Sequence, residues 1–459
     1  MQRSKEFQEK DALSEHEQQR IASNAEDVSE VVSGRETELP PVDGGWRAWT
    51  FCFAAFWLET MVWGFGYSYG VFQEYYSTHE FQSASNVAIS AVGTVSLALT
   101  FGSTIPLMLY FRRYPTLIKP TMWVGLVVAV AALVVSSFAN AIWQLIILQG
   151  VIYGLAGGMI YIPIVFWLPQ WFVKHRGLAG GLVMGGSGIG GFVFPLILNA
   201  LLSRLGFRWT LRIWALIMAV VAGPAVLAVN PRVPLPKHEK GSPRPSVVPK
   251  ELPFFRDAAF WMFSCVNMLQ ALSYFPVSLY LTVFTTSVAS SLSATAVLSV
   301  FNVACIFGQV AIGYLCDRLP YPWIACASAF GSALVAFLLW GFSYNLGQVF
   351  GFAVLFGGLS GGFASVWQPA ATDCAGKKGE LQPYIFGLFA TIKGVAAVIG
   401  PIISGILYDA GKGTGALSGK YGRFGFGKME IFVGSLAMAT SVVSIILGVV
   451  RVKFKRPVY

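Results

Sequence analysis

Charge is what this sequence has least of. Only 12% of its 459 residues are Asp, Glu, Lys or Arg, about half the share of an ordinary soluble domain. That scarcity excludes a disordered chain and an ordinary cytosolic enzyme, since both need a charged, wetted surface. Cysteine and histidine are scarce too, at 6 and 4. Cys52, Cys265, Cys305, Cys316 and Cys326 lie inside apolar runs and Cys374 ends one. They read as lone buried thiols, not as a disulfide framework. His16, His79, His175 and His238 fall in tails or loops, away from cysteines at ligand spacing, so no metal centre is expected. A Gly-x4-Gly-Lys-Ser/Thr phosphate loop is missing, which removes the usual motif of ATP-driven pumping. Gly185–Gly191 holds a loose dinucleotide-like glycine pattern. It sits inside an apolar run with no strand before it, so helix packing explains it and no cofactor is expected. No basic start leads into a short apolar core, so no cleaved leader is expected.

Apolar residues are what the chain has in quantity. They make up 55% of it, with 49 glycines and a mean hydropathy of +0.62. Residues 81–111, 120–173, 177–203, 213–230, 258–316, 319–372 and 431–450 contain no Asp, Glu, Lys, Arg or His. A membrane-spanning helix needs ~20 apolar residues, so the longer stretches hold two spans each. Ser136-Ser137, Thr285-Thr286 and Tyr344-Asn345 supply the dividing turns. The expected fold is an all-α membrane protein of twelve transmembrane helices, at 48–72, 87–110, 117–138, 142–169, 178–202, 210–229, 258–283, 293–315, 322–342, 347–371, 384–408 and 430–450. Glycine at this level suits close packing of helices in a bilayer.

The organisation follows. Residues 1–47 hold 11 acidic and 6 basic residues and no apolar run, which reads as a disordered cytosolic tail. Residues 48–230 form an N-terminal six-helix half. Residues 231–256 carry seven prolines and six Lys or Arg, a cytosolic linker and not a helix. Residues 257–450 form the C-terminal six-helix half, and 451–459 a second cytosolic tail. With the first tail inside, the inner loops and C-terminus hold 18 Lys or Arg and the outer loops 7. That bias places both termini in the cytosol. It also accounts for the net charge of +10, so the lipid bilayer, and not nucleic acid, is the expected partner.

The halves repeat. Gly154-Leu155-Ala156-Gly157-Gly158 recurs as Gly358-Leu359-Ser360-Gly361-Gly362, an offset of 204. Arg113-Tyr114-Pro115 recurs as Arg318-Leu319-Pro320 at 205, and Gly188 with Pro195 recurs as Gly394 with Pro401 at 206. Three collinear matches at nearly one offset point to a duplicated six-helix unit. Transporters built on such repeats rock one half against the other around a midplane site.

At these residues the chain resembles the monocarboxylate porter family of the major facilitator superfamily, in particular its fungal members. Asp43-Gly44-Gly45-Trp46 is similar to the family signature before span 1. Trp171-Phe172-Val173-Lys174-His175-Arg176-Gly177-Leu178-Ala179-Gly180-Gly181 is similar to the signature that opens span 5. The superfamily's turn motif, Gly-x3-Asp-Arg, matches Gly313, Asp317 and Arg318, while Arg112-Arg113 stands where the first-half copy has an Asp-Arg pair. The resemblance implies the major facilitator fold over residues 41–455. Proton-coupled members carry an Asp and an Arg in span 8 where this chain has Cys305 and Gln309. They carry a Lys late in span 1 where it has about Tyr67. The departures favour a larger, more neutral or more aromatic solute over lactate- or pyruvate-type symport.

Two ionisable residues lie deep by helix arithmetic. Glu59 is 13 residues past Trp46, ~20 Å along a helix, and Lys393 is 10 past Pro383, ~15 Å. Charges inside a span cost ~2.5–3.5 kcal/mol on insertion scales, so they default to functional roles. Lys393 reads as a substrate-binding or gating residue, or as one half of a structural pair. Glu59 reads as a proton-coupling group or as its ion-pair partner. Gln309, Asn267 and Asn302 are the polar candidates for lining the site, against plain interhelical hydrogen bonding. Tyr67, Tyr161 and Trp367 are the aromatic candidates, because spans 1, 4 and 10 line the cavity in the fold that the resemblance implies. Lys174, Arg176, Asp317 and Arg318 are the expected cytoplasmic gate.

The expected function is secondary active transport, with no enzyme activity. The chain is expected to move a small organic solute, a secondary metabolite or organic acid, by alternating access. Protons are a candidate coupling partner and the plasma membrane the expected location. Proton-linked monocarboxylate uptake is one alternative. A non-transporting sensor of the same fold, with the acidic tail as output, is the other.

Overall fold

The computed structural model describes residues 39–234, 246–247, 249, 251–411 and 421–453. All regular structure among them is helical. Ten helices are long and apolar enough to cross a membrane. One of them, Arg176–Ala228, is two spans joined at Gly206, where φ is 74°. Glycine reaches that backbone angle without the Cβ clash that other residues meet. Gly45–Tyr67, 23 residues long, is a further span whose tryptophans and glycines dilute its hydropathy. Together these give the twelve helices that the charge-free stretches predict.

In chain order the spans are Gly45–Tyr67 (span 1), Ala88–Arg113 (2), Pro115–Ser136 (3), Ile142–Trp171 (4), 176–205 (5), 207–228 (6), Ala258–Val288 (7), Leu292–Cys316 (8), Tyr321–Trp340 (9), Leu346–Ala375 (10), Gly379–Tyr408 (11) and Gly427–Val452 (12). Several starts are fixed by side-chain caps. Ser85, Asp257, Ser290 and Asn345 each accept a backbone N–H of the first turn, which satisfies a donor that would otherwise be orphaned. Large apolar side chains such as Val127, Leu216, Val220, Leu227 and Ile406 point outward and are more than 60% exposed. In water such a girdle would be an aggregation hazard. In a bilayer it is the lipid-facing surface, and the protein is a multi-pass membrane protein.

The repeat seen in the sequence is a packing repeat. A side chain on Gly158 of span 4 would run into Ser103 of span 2, and one on its repeat partner Gly362 of span 10 would run into Gly308 of span 8. The two glycine-rich segments thus make equivalent contacts in the two halves.

Several boundaries differ from expectation. Span 1 begins at Gly45, inside the segment assigned to the tail, and ends at Tyr67, not 72. A separate helix, Tyr69–Tyr75, follows. Span 7 runs through Thr285-Thr286 to Val288, because both hydroxyls donate back to helix carbonyls, Thr285 to Leu281 at 2.7 Å and Thr286 to Val283 at 2.8 Å. The break falls at Ala289-Ser290 instead. The last helix continues to Lys453, past the expected end at 450. Residues 1–38 of the acidic tail and half of the linker lie outside the described residues. The described linker residues are non-helical up to Leu252, and Pro253–Arg256 forms one 3-10 turn.

Candidate functional site

A cavity lies where spans 1, 2, 4 and 5 face spans 7, 8, 10 and 11. Its N-half wall is aromatic around one acid. Trp63 meets Phe101 at 4.4 Å between ring centres and Tyr161 edge-on at 5.3 Å, with Tyr67 stacked at 6.2 Å. Glu59, one helical turn before Trp63, is only 2% exposed, and its Oε2 has no hydrogen-bond partner. The C-half wall is aromatic around one base. The Lys393 ammonium lies 4.8 Å from the centre of Trp367, 5.7 Å from Tyr274 and 5.8 Å from Phe275. Span 10 reaches this wall through an irregular stretch. Gly357–Gly361 forms a wide π turn and Gly362–Val366 a tight 3-10 turn just before Trp367. Such changes of helical pitch recur at functional sites.

Unpaired polar atoms collect here. Besides Glu59 Oε2, the Trp63 and Trp367 indole nitrogens and Gln309 Oε1 have no partner. Buried polar atoms usually find one, so these four are free to meet something that enters. The cavity is about 40 Å³. On this measure a water needs roughly 10–15 Å³, so the space fits a few waters and no organic solute. The site is therefore narrow in this structure.

Between this cavity and the end that carries both termini, the halves touch. Span 5 crosses span 8 on glycine. A Cβ on Gly177 would meet the Gly313 backbone, and one on Gly181 the Gln309 backbone. At the base of this crossing Asp317 accepts the backbone N–H groups of Gly177 at 2.6 Å and Leu178 at 2.8 Å. Asp43 accepts those of Val173, Lys174 and His175 at 2.8–2.9 Å. Two carboxylates thus serve five N–H groups at the start of span 5, where the helix dipole favours negative charge. Their environments differ. Burial alone would raise the Asp43 carboxyl, but its three backbone donors outweigh that and hold it below its ordinary value. Burial pushes Asp317 above its ordinary value despite its two donors. Arg176 reaches across to the Thr372 hydroxyl at 2.6 Å. On the other side of the bundle, Gly387 of span 11 packs on Met108 and Thr104, and Arg112 lies 5.8 Å from the Tyr384 ring centre.

The structure brings Lys393, Gln309, Tyr67, Asn302, Tyr161, Trp367 and Glu59 to one cavity. Asn267 is not among its lining residues. Its amide donates to the Phe389 carbonyl at 2.7 Å, so it joins span 7 to span 11. Asn302 also donates to Gly191 at 3.0 Å, so it has a structural bond across the halves. Glu59 and Lys393 form no ion pair. Of the four residues expected at a gate, Asp317 and Arg176 make contacts across the halves. The Arg318 guanidinium instead sits 4.3 Å from the ring centre of its own span's Tyr314. Lys174 is exposed and contributes its backbone N–H, not its ammonium.

Some residues escaped sequence reasoning. Asp43 belongs to a recognised signature, but its capping of span 5 is a contact 130 residues away. Phe101 carries no polar signal at all. Two further charges are buried. Glu430 is fully buried at the start of span 12. Arg451, counted in sequence among the basic residues of the C-terminal tail, is buried and bonds Asp373 at 2.7 Å and Asp257 at 3.5 Å. Among the described residues no cluster of His, Cys, Asp and Glu could hold a metal.

Comparison with known proteins agrees with this architecture. The chain matches the Major Facilitator Superfamily over residues 48–298 and 267–457. It is similar to the Aspyridones efflux protein apdF of Emericella nidulans, 29% identical over 91% of this chain and 81% of that one. It is 27% identical to the MFS-type transporter pynF of Aspergillus niger over 91% of this chain and 92% of that protein. The Fujikurins efflux protein of Gibberella fujikuroi is 26% identical, over 92% of this chain and 91% of its own length.

Proposed function

The chain belongs to the Major Facilitator Superfamily, and on that premise we propose that it exports a small organic solute, a secondary metabolite, by alternating access. The observation that carries this reading is the narrow cavity that both halves line, with free polar atoms inside it and polar and glycine crossings between it and the termini. A carrier needs a site that both halves share and a seal that can open without breaking either half. The relatives whose names include efflux support the direction. The solute meets Lys393, Gln309, Asn302, Tyr67, Tyr161 and Trp367, and Asp317 with Arg176 forms the inner gate. The Asp43-Gly44-Gly45-Trp46 and Trp171–Gly181 segments support a finer placement beside the monocarboxylate porters. The excess of basic residues at the termini end supports cytosolic termini, and export of a metabolite supports the plasma membrane. Protons are the proposed driving ion, with Glu59 the group that exchanges them.

The test is a solute screen in proteoliposomes, with and without an imposed pH gradient. Saturable counterflow of at least one aromatic metabolite, accelerated by the gradient, is expected. A protein that binds such solutes yet shows no counterflow of any of them sinks the carrier reading.

A further inference from the structure

The cavity presents an acid from one half and a base from the other. Glu59 comes from span 1 and Lys393 from span 11. Both line the same space, at 2% and 7% exposure, and yet they do not pair. Each is held among aromatic rings instead. Rings over an ammonium offset only part of the cost of burying an unpaired ion. Lys393 is therefore under-compensated as it stands, and Glu59 Oε2 has no partner at all.

What enters must suit both. A solute with only an acidic group would satisfy Lys393 and leave the Glu59 carboxyl without a partner. A solute with only a basic group would do the converse. A buried polar group left unpaired on binding is costly. The walls between the two groups are flat rings, Trp63, Tyr67, Phe101 and Tyr161 on one side and Tyr274 and Trp367 on the other. Such walls accept planar bodies by stacking or edge contact.

We propose that the solute is amphoteric: a planar ring system with a nitrogen donor that meets Glu59 and an acidic oxygen that meets Lys393. This rests on the carrier reading above and names the substrate class of the same cavity. It also gives the solute a mechanical role. One molecule ties the N-terminal half to the C-terminal half through its two ends, so binding favours closure of the halves around it. A nitrogen donor at Glu59 competes with a proton for the same carboxylate, which is the requirement for exchanging one against the other.

The experiment uses the full chain, purified in detergent, and three probes that share an indole ring: tryptophan with both charges, indole-3-propionate with the acid alone and tryptamine with the amine alone. Affinities are measured by calorimetry. Tryptophan is expected to bind about tenfold tighter than either single-charge probe, the scale of one hydrogen bond to a charged group. Lys393→Gln should erase the advantage over tryptamine and keep that over indole-3-propionate. Glu59→Gln should do the opposite, and Lys393→Arg should keep part of the first advantage. Monodisperse elution and an unchanged helical spectrum of each variant separate lost recognition from lost folding. Equal binding of the three probes, binding of none, or a preference that survives both substitutions overturns the proposal. Counterflow decides the other question. Absence of counterflow with the two-ended preference intact counts against the carrier reading alone. Counterflow with equal binding of the probes counts against this proposal alone.

Discussion

At the crossing of spans 5 and 8, Asp317 accepts two backbone N–H groups, at 2.6 and 2.8 Å. At the crossing of spans 2 and 11, a cation occupies the matching place, with Arg112 5.8 Å from the Tyr384 ring centre. The duplication explains how the two differ. Offset by 205, Arg112 corresponds to Asp317. Offset by 206, Gly177 corresponds to Pro383. The first donor that Asp317 uses is the N–H of Gly177, and proline has no N–H to give. A carboxylate at position 112 would face a helix start that had lost half of its reason to be there. One crossing closes on charge-assisted hydrogen bonds at a helix N-terminus. The other closes on Arg112 over the Tyr384 ring, with a side-chain hydrogen bond between them, and on Met108 and Thr104 packed at Gly387. The two seams between the halves should therefore fail differently when they are damaged.

The largest effect is expected where the backbones touch. A Cβ on Gly177 would lie 2.7 Å from Asp317 Oδ1 and run into the Gly313 carbonyl. Overpacking of this kind typically costs ~1–3 kcal/mol, and here it falls wholly on the closed state. Gly177→Val should reduce counterflow by about ten- to a hundredfold without loss of folded protein. Gly351→Val is the control, since a carbon added there meets nothing within 4 Å. Similar losses in both variants would show that the span 5–8 crossing is not a moving seam.

The next effect separates the two crossings directly. Asp317→Asn keeps an acceptor and removes the charge, so counterflow should slow by about tenfold while substrate affinity changes by less than about twofold. Arg112→Ala loses a half-buried cation–π contact together with a side-chain hydrogen bond to Tyr384, and should slow it by about threefold. Equal losses in the two variants would erase the distinction drawn here. So would a large affinity change in Asp317→Asn, because that residue lies far from the cavity.

How much of this was legible in the sequence depends on the direction of the contact. Depth along one helix was readable, since a rise of 1.5 Å per residue is fixed. That arithmetic brought Glu59 and Lys393 to the same level from two different spans. Rotation about the helix axis was not readable. Asn267 looks as good a cavity residue as Gln309, yet it points at span 11 and bonds the Phe389 carbonyl. Sign alone misled for Arg451, which counts as a cytosolic cation but is 2% exposed and paired twice. Helix ends were readable only where the end residue could not be satisfied within the helix. Thr285 and Thr286 read as a turn because their donation to the preceding helical turn is invisible in a string of letters.

A smaller effect tests the two acids against each other. Asp43 is held below its ordinary value by three backbone donors. The sign is that of a depressed carboxylate. Its contribution is complete above the ordinary carboxylate range and lost as pH falls through the lowered folded value. Asp43→Asn should therefore lower the melting temperature at pH 7, and the gap from the unaltered protein should narrow as acid protonates the native carboxylate. Asp317 has the opposite shift, so acid should favour its closed contact over a solvated carboxylate. An Asp43→Asn gap that widened on acidification would contradict the capping role.

The smallest effect is the most specific, because it asks whether Pro383 is the reason that the second crossing lacks its acid. Arg112→Asp alone places a carboxylate against a helix start with one donor missing. It also removes the cation over Tyr384. Counterflow should fall by about threefold. Pro383→Gly alone frees a backbone N–H that has nothing to meet, and it should be nearly silent. Arg112→Asp/Pro383→Gly together rebuild the Asp317–Gly177 pair on the other side of the bundle. The double variant should then recover most of what Arg112→Asp lost, a positive coupling of about twofold or more in rate. Residues that share a contact couple by about 0.5–3 kcal/mol, whereas independent ones add. Rates that simply multiply across the two substitutions would mean that the proline and the arginine changed separately. The asymmetry of the two seams would then need a cause other than the missing N–H.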